Sequence, residues 1–457
     1  MSRQSTIDAA LDMLASGRIQ ADLARRVAMP TVSRDNTHES DLQAYIDQEL
    51  VPVLDRLGFA TQTFRRDAAP GAFLLATRIE DASRPTVLMY GHGDVVPGVP
   101  ETWSTGLSPF ELSERDGRWY GRGTADNKGQ HSINLAAIEA VLAVNGRLGF
   151  NLKILMEMGE ECGSPALAEL IADNVRAFSA DMLIASDGPR IGLNSPTIFL
   201  GARGVMDINL AVVAREGYHH SGNWGGLLAN PGVELAHAIA ALIGPTGECL
   251  VPELTPGAIP DDVRDALSEC TIETAPGDPE PDAWWGAPGL TQAERVYGWS
   301  TLEVMEIEAG SIAQPLNAIP PWAQARLQLR HPVGVDPDAV LPAIRRRLDA
   351  AGLQRVGIAP ATDAAFPASR SALDNEWVRF VAASMARTMG KAPVILPNLG
   401  GSLPNAIFTD TLGLPTIWVP HSYPGCGQHG ADEHLPISIV QEGLAIMAGI
   451  FWDLGHR

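Results

Sequence analysis

Along much of the chain the apolar residues come in short runs, and each run ends in a polar cluster. Residues 85–90 (Pro-Thr-Val-Leu-Met-Tyr) lead into Gly-His-Gly-Asp at 91–94. Residues 151–158 lead into Gly159, Glu160 and Glu161, and 181–186 lead into Asp187. Residues 415–420 lead into a loop carrying His421, His429 and His434. Short apolar runs bounded by turn residues predict buried strands. Between them, 129–144 and 164–178 carry helical patterns. Strands alternating with helices predict an α/β sheet covered on both faces. In such sheets the ligand site lies beyond the carboxyl ends of the strands, where all four polar clusters fall.

The middle of the chain has a different texture. Residues 205–213 and 323–330 alternate with period two, as half-solvated antiparallel strands do. The stretch 250–300 is rich in Pro and Gly and most loop-like at 277–282, while 336–348 reads as a helix. Residues 203–366 are therefore expected to form an α+β domain inserted into a first domain built from 1–202 and 367–457. At the N-terminus an amphipathic helix is expected, with Ser5 and Asp8 as a capping box and Ile7, Leu11 and Leu14 on one face. That segment lacks the apolar core of a signal peptide. No apolar run reads as the roughly 18–20 residues of a membrane span.

Composition narrows the classes of function. Of the 457 residues, 45% are hydrophobic and 19% charged, which is enough apolar material for sizeable cores. The formal net charge of −21 repels phosphate backbones and anionic lipid, so neither nucleic acid nor a membrane surface is an expected partner. Four cysteines without a Cys-x-x-Cys pair suit a reducing compartment, and a soluble cytoplasmic protein is expected. There is no Walker A sequence, and Gly121-Arg-Gly-Thr-Ala-Asp126 departs from the dinucleotide fingerprint at its third glycine. A Gly-x-Ser-x-Gly elbow is absent, so a serine hydrolase has little support.

The polar clusters suggest a metal. His92 and Asp94 point to the same side of an extended chain, as a ligand and its orienting carboxylate would. Asp126 follows a glycine-rich loop at a helix start, where a plain N-cap aspartate would also sit. Glu160 and Glu161 are adjacent acids at a strand end, and they repel unless a cation stands between or beside them. A dication satisfies that demand, with one carboxylate as ligand and the other as proton carrier. Asp187 is a third acid in an equivalent place. With the loop histidines, these nitrogen and oxygen donors suit Zn²⁺, Mn²⁺ or Co²⁺ better than Ca²⁺ or Mg²⁺.

Taken together, Gly91-His-Gly-Asp-Val-Val-Pro97, the Tyr-Gly-Arg-Gly-x-x-Asp-x-Lys-Gly segment ending at Gly129 and the Glu160-Glu161 pair resemble the M20 metallopeptidase family, which includes carnosinase, acetylornithine deacetylase and carboxypeptidase G. The successive spacings His92 to Asp126, Asp126 to Glu161 and Glu161 to Asp187 are 34, 35 and 26 residues, in the family's order. The resemblance implies a zinc-aminopeptidase-like α/β catalytic domain with a mixed sheet, and an inserted ferredoxin-like lid that makes a homodimer contact. It implies two divalent metals per subunit, most simply Zn²⁺, held by His92, Asp126 as bridge, Glu161, Asp187 and His429. His429 is preferred over His421 and His434 because the family's His-x-x-x-Glu spacing is met by His429 and Glu433. Asp94 would orient His92, and Glu160 would be the general base. A cis peptide is implied at Asp126–Asn127.

In the lid, Tyr218-His-His-Ser-Gly222 resembles a family segment that has aspartate where Tyr218 stands. His220 would then stabilise an oxyanion in a partner's site. Arg330 would clamp a substrate carboxylate, with Gly401 and Ser402 of the 400–404 loop, and Asn317 is a further candidate substrate contact. The implied reaction is hydrolysis of an amide in a small carboxylate-bearing substrate by a metal-bound hydroxide. A dipeptidase is the first reading and an N-acyl or N-carbamoyl amino-acid deacylase the alternative. A non-catalytic binding protein on the same fold, or a nucleotide-dependent α/β enzyme, would be the reading from another class.

Overall fold

The structure is a computed structural model, described here for residues 1–34, 36–272, 279–361 and 366–457. Gly277 and Asp278 of the expected loop at 277–282 lie outside the described residues.

Eight strands form a mixed sheet in the order Ala60–Phe64, Phe73–Arg78, Asn151–Glu157, Thr86–His92, Met182–Ala185, Thr416–Trp418, Thr197–Phe199 and Val394–Leu396. The four strands read from apolar runs are mutually parallel neighbours, so their carboxyl ends share one edge. Their side chains alternate between two cores, as period two requires. Val87, Met89, Ile154 and Ile184 enter one core, and Leu88, Tyr90, Leu155 and Leu183 the other. The first core is closed by helices Arg3–Ala15, Lys128–Asn145, Glu376–Met389 and Ile437–Gly455.

A second, four-stranded antiparallel sheet has the order Thr301–Glu308, Trp322–His331, Gly204–Val213 and Gly357–Pro360. With helices Pro231–Leu242 and Pro337–Ala350 it follows the βαββαβ order of a ferredoxin-like unit and has a core of its own around Ile208, Leu210, Leu235, Leu327 and Ile344. Part of the intervening sequence turns away from this unit. Ile259, Val263 and Leu267, with Tyr297 and Trp299 against them, join the core beneath the eight-stranded sheet.

Three local expectations are corrected. The first helix is capped by Ser2, whose Oγ accepts from Ser5 N at 3.1 Å while Ser2 N donates to Ser5 Oγ at 2.9 Å, so Ser5 is the third helical residue and not the cap. The helix expected over 164–178 is two short pieces, Leu167–Asp173 and Val175–Phe178, parted at Asn174, whose φ and ψ of −129° and 32° are not helical. One helix, Ile437–Gly455, is long and apolar enough by length and composition to cross a membrane. The sequence pattern hid it because Gln441, Glu442 and Asp453 interrupt the run. It packs against the N-terminal helix and Lys128–Asn145, and Phe451 is fully buried with its ring stacked on Phe150.

Truncating Phe451 removes an aromatic ring from the middle of this packing. Phe451→Ala is expected to destabilise the fold by about 3–5 kcal/mol, measured as a fall in the denaturant midpoint at unchanged slope.

Candidate metal centre

The shared edge of the parallel strands gathers the polar clusters. His92 is the last residue of its strand, Glu160 and Glu161 form a single 3-10 turn just after Asn151–Glu157, and Asp187 lies just beyond Met182–Ala185. Asp126 closes the glycine-rich loop before helix Lys128–Asn145, and the Asp126–Asn127 peptide is cis. The N-cap position belongs to Asn127, which frees the Asp126 carboxylate to turn into the cleft.

That carboxylate is the centre of the arrangement. Its Oδ1 lies 3.1 Å from His92 Nε2, which is itself 3.6 Å from Asp187 Oδ2. Its Oδ2 lies 3.3 Å from His429 Nε2, which is 3.2 Å from Glu161 Oε2. Two sets of donors result, His92–Asp126–Asp187 and Asp126–Glu161–His429, each with its ligand atoms within 4.8 Å of one another. Asp94 stands behind them. Its carboxylate lies 3.3 Å from His92 Nδ1 and accepts from Glu160 N at 3.2 Å and Glu161 N at 3.0 Å. One buried aspartate thus aims the histidine and holds the turn carrying both glutamates.

The electrostatics of the cluster call for a cation. Burial, and then neighbouring acids, push the carboxyls of Glu160 and Glu161 well above the usual range. Burial also raises Asp187, to about 6. Burial would raise Asp126 too, but hydrogen bonds from His429 and His92 hold it below its usual value. Asp187 Oδ2 and Glu161 Oε1 are buried without a hydrogen-bond partner, which is rare for carboxylate oxygens. A pair of dications sharing Asp126 fits these donors and would relieve the repulsion.

Some contacts that support this cluster are not foreseen from the sequence, where Glu433 enters only through its spacing to His429. The Glu433 carboxylate is fully buried and accepts from the backbone N–H of Gly123, Ala125 and Asp126 and from Arg122 Nη1 at 2.7 Å. It ties the Asp126 loop to the His429 loop. Gln130 donates to Ala125 O and accepts from His421 N, and Gln428 Nε2 lies 3.4 Å from Asp126 Oδ2. Two signals are visible in the sequence, Arg122 inside the Gly-Arg-Gly motif and Glu433 four residues after His429, but neither pairs them with one another.

The other two loop histidines stand apart. His434 packs against Tyr120 with the rings tilted by 39°, and its Nδ1 lies 2.9 Å from Asp432 O. His421 is fully buried against Gly443, with neither ring nitrogen hydrogen-bonded, and burial pushes its pKa down to about 3.

Arg330 and Ser402 are brought together, with Arg330 Nη1 donating to Ser402 Oγ at 2.8 Å. Arg203 joins them, since its Nε donates to Gly400 O and its carbonyl accepts from Ser402 Oγ, with Gly401 between these two anchors. His220 and Asn317 are neighbours of one another but bond to no metal-cluster residue. His220 pairs in register with Ala318, its Nδ1 accepts from Gly222 N at 3.0 Å, and Asn317 O accepts from Ser221.

Comparison with known proteins identifies the family. The model of peptidase family M20/M25/M40 matches residues 88–453. A cysteinylglycine-S-conjugate dipeptidase of Corynebacterium striatum is 42% identical over 161 residues, which is 35% of this chain and 34% of that protein. The human β-Ala-His dipeptidase is 36% identical over 190 residues, covering 41% of this chain and 37% of its own length. These matched stretches span only about a third of either relative. Among solved structures, the M20 family metallo-carboxypeptidase Sso-CP2 of Sulfolobus solfataricus superposes with a TM-score of 0.82 at 23% identity, covering 96% of this chain and 99% of that one.

The buried neutral His421 gives a pH signature. Between about pH 6.5 and 3 the unfolded chain protonates this imidazole and the folded one does not, so stability falls as the pH is lowered through that window. Replacing His421→Gln should flatten the plot of unfolding free energy against pH there by about 1.4 kcal/mol per pH unit. Parallel plots for the two proteins would show that His421 titrates normally.

Proposed function

Because the chain belongs to peptidase family M20, we propose that it is a dinuclear metallohydrolase that cleaves the amide bond of a dipeptide or similarly small carboxylate-bearing substrate. The observation that carries this reading is the Asp126 carboxylate, whose two oxygens each face a separate histidine–carboxylate pair. His92 and Asp187 would hold one metal and Glu161 and His429 the other, with zinc the first choice and manganese or cobalt the alternatives. Bound dications would polarise the scissile carbonyl and acidify a water.

Glu160 is the general base. It is not a member of either donor set, yet the Asp94 contact to its N–H holds it at the edge of both. A carboxylate placed there can take a proton from the attacking water and return it to the leaving nitrogen. Arg330 recognises the substrate carboxylate through the two-pronged geometry of its guanidinium, with Ser402 alongside.

Residues 203–366 act as a lid and dimerisation unit. Val304, Met305 and Ile307 are exposed on its edge strand, with Ile312 fully exposed nearby, as an edge that pairs with a second copy would be. In that dimer the exposed His220 donates to the oxyanion developing in the neighbouring site, and Asn317 beside it contacts substrate.

The deciding experiment is metal analysis of the protein as purified, joined to a hydrolysis screen before and after chelation. Two equivalents of metal and chelator-sensitive cleavage of dipeptides are expected. Preferential cleavage of N-acetyl or N-carbamoyl amino acids would move the assignment to the deacylases. Glu160→Gln should lower kcat roughly 100- to 10,000-fold with metal content unchanged. Near-normal turnover would remove Glu160 from the base role. An Ile307→Glu charge on the edge strand should shift the sedimentation coefficient from dimer to monomer.

A further inference from the structure

Away from the metal centre, a cavity of about 370 Å³ lies where the Trp285–Trp299 segment meets the Thr301–Glu308 strand. That is within the size range of small-molecule sites, and no metal-centre residue lines it. Its walls are apolar, formed by Ile272, Trp285, Val296 and Trp299.

Three polar groups in the lining lack what their burial requires. Ser300 is 4% exposed and its Oγ has no hydrogen-bond partner among the described residues, nor has the buried Nε of Arg295, whose Nη1 donates to Trp285 O. Arg203 is 7% exposed, with Nε and Nη1 held by the carbonyls of Gly400 and Trp299, and among the described residues no carboxylate pairs with it. Burial, and then the neighbouring Arg330, lower its pKa to about 10. Buried guanidinium groups are ordinarily paired with an anion, and buried donors are ordinarily satisfied. Arg203, Arg295 and Ser300 thus offer donors to an anion, and Glu303, whose charge favours the charged Arg203, makes no ion pair with it among the described residues. Glu248, Asp282 and Glu303 also line it, and of these Asp282 and Glu303 are exposed to solvent, so its mouth is acidic.

We propose that this cavity binds a free α-amino acid with an apolar side chain. The carboxylate meets Arg203, Arg295 and Ser300, the side chain packs between Trp285 and Trp299, and the ammonium faces the acidic mouth. Arg203 also anchors Gly400 and Ser402, so an occupant bears on the loop beside Arg330 from behind. The site does not depend on the reaction proposed above, because it shares no residue with the metal cluster.

Calorimetric titration of L-leucine into the Arg330→Met protein tests this, since that variant lacks the carboxylate clamp of the candidate active site. One saturable site is expected. L-Leucinamide, which lacks the carboxylate, and 4-methylpentanoate, which lacks the ammonium, should each bind at least tenfold more weakly. Adding Trp285→Ala should weaken leucine at least tenfold without changing the thermal midpoint, and Ser300→Ala should weaken it several-fold should the tryptophan variant fail to fold. Absence of saturable binding, equal binding of either analogue, or full affinity in the pocket variants would overturn the proposal.

Discussion

The candidate metal centre depends on one buried carboxylate that belongs to neither donor set. Glu433 gathers three backbone N–H groups of the 121–126 loop and the Arg122 guanidinium, joining segments 311 residues apart. A buried acid so fully hydrogen-bonded has little freedom to rotate, and leaving those donors unpaired would cost about 1–3 kcal/mol each. Asp126 and His429 therefore face each other because Glu433 fixes the loops that carry them. Asp94 plays the same part on the opposite side, between His92 and the Glu160–Glu161 turn.

Much of this was readable from local pattern. His92, Glu161 and Asp187 each follow an apolar strand, and parallel strands put such termini on one edge. Asp126 was ambiguous from its surroundings alone, because an aspartate before a helix is most often a cap. What separates the two roles is a pair of histidines distant in sequence, which no local pattern encodes. His429 could be picked out from three loop histidines only by its spacing to Glu433. The anchoring by Glu433 was invisible because a hydrogen bond across hundreds of residues leaves no periodicity.

The same limit explains the smaller misses. Ser2 and Ser5 are both competent caps, and only the chain's actual turn decides between them. Within residues 203–366, apolar positions of one helical pattern can face either sheet, and Val263 and Leu267 chose the larger one. That choice brings Trp285 and Trp299 over Arg203 and creates the second cavity.

The strand order of the main sheet has a consequence for how the chain is made. Thr416–Trp418 lies between Met182–Ala185 and Thr197–Phe199, so the sheet stays split there until a segment more than 200 residues further along the chain arrives. A ribosome-bound chain that already carries His92, Asp126, Glu161 and Asp187 still lacks His429 and Glu433 and leaves the edge of Met182–Ala185 unpaired. Unpaired edges invite pairing with other chains, and domains generally fold as units during synthesis. The four early donors would therefore wait, unassembled, for a late strand that closes the sheet and delivers the final histidine in a single event.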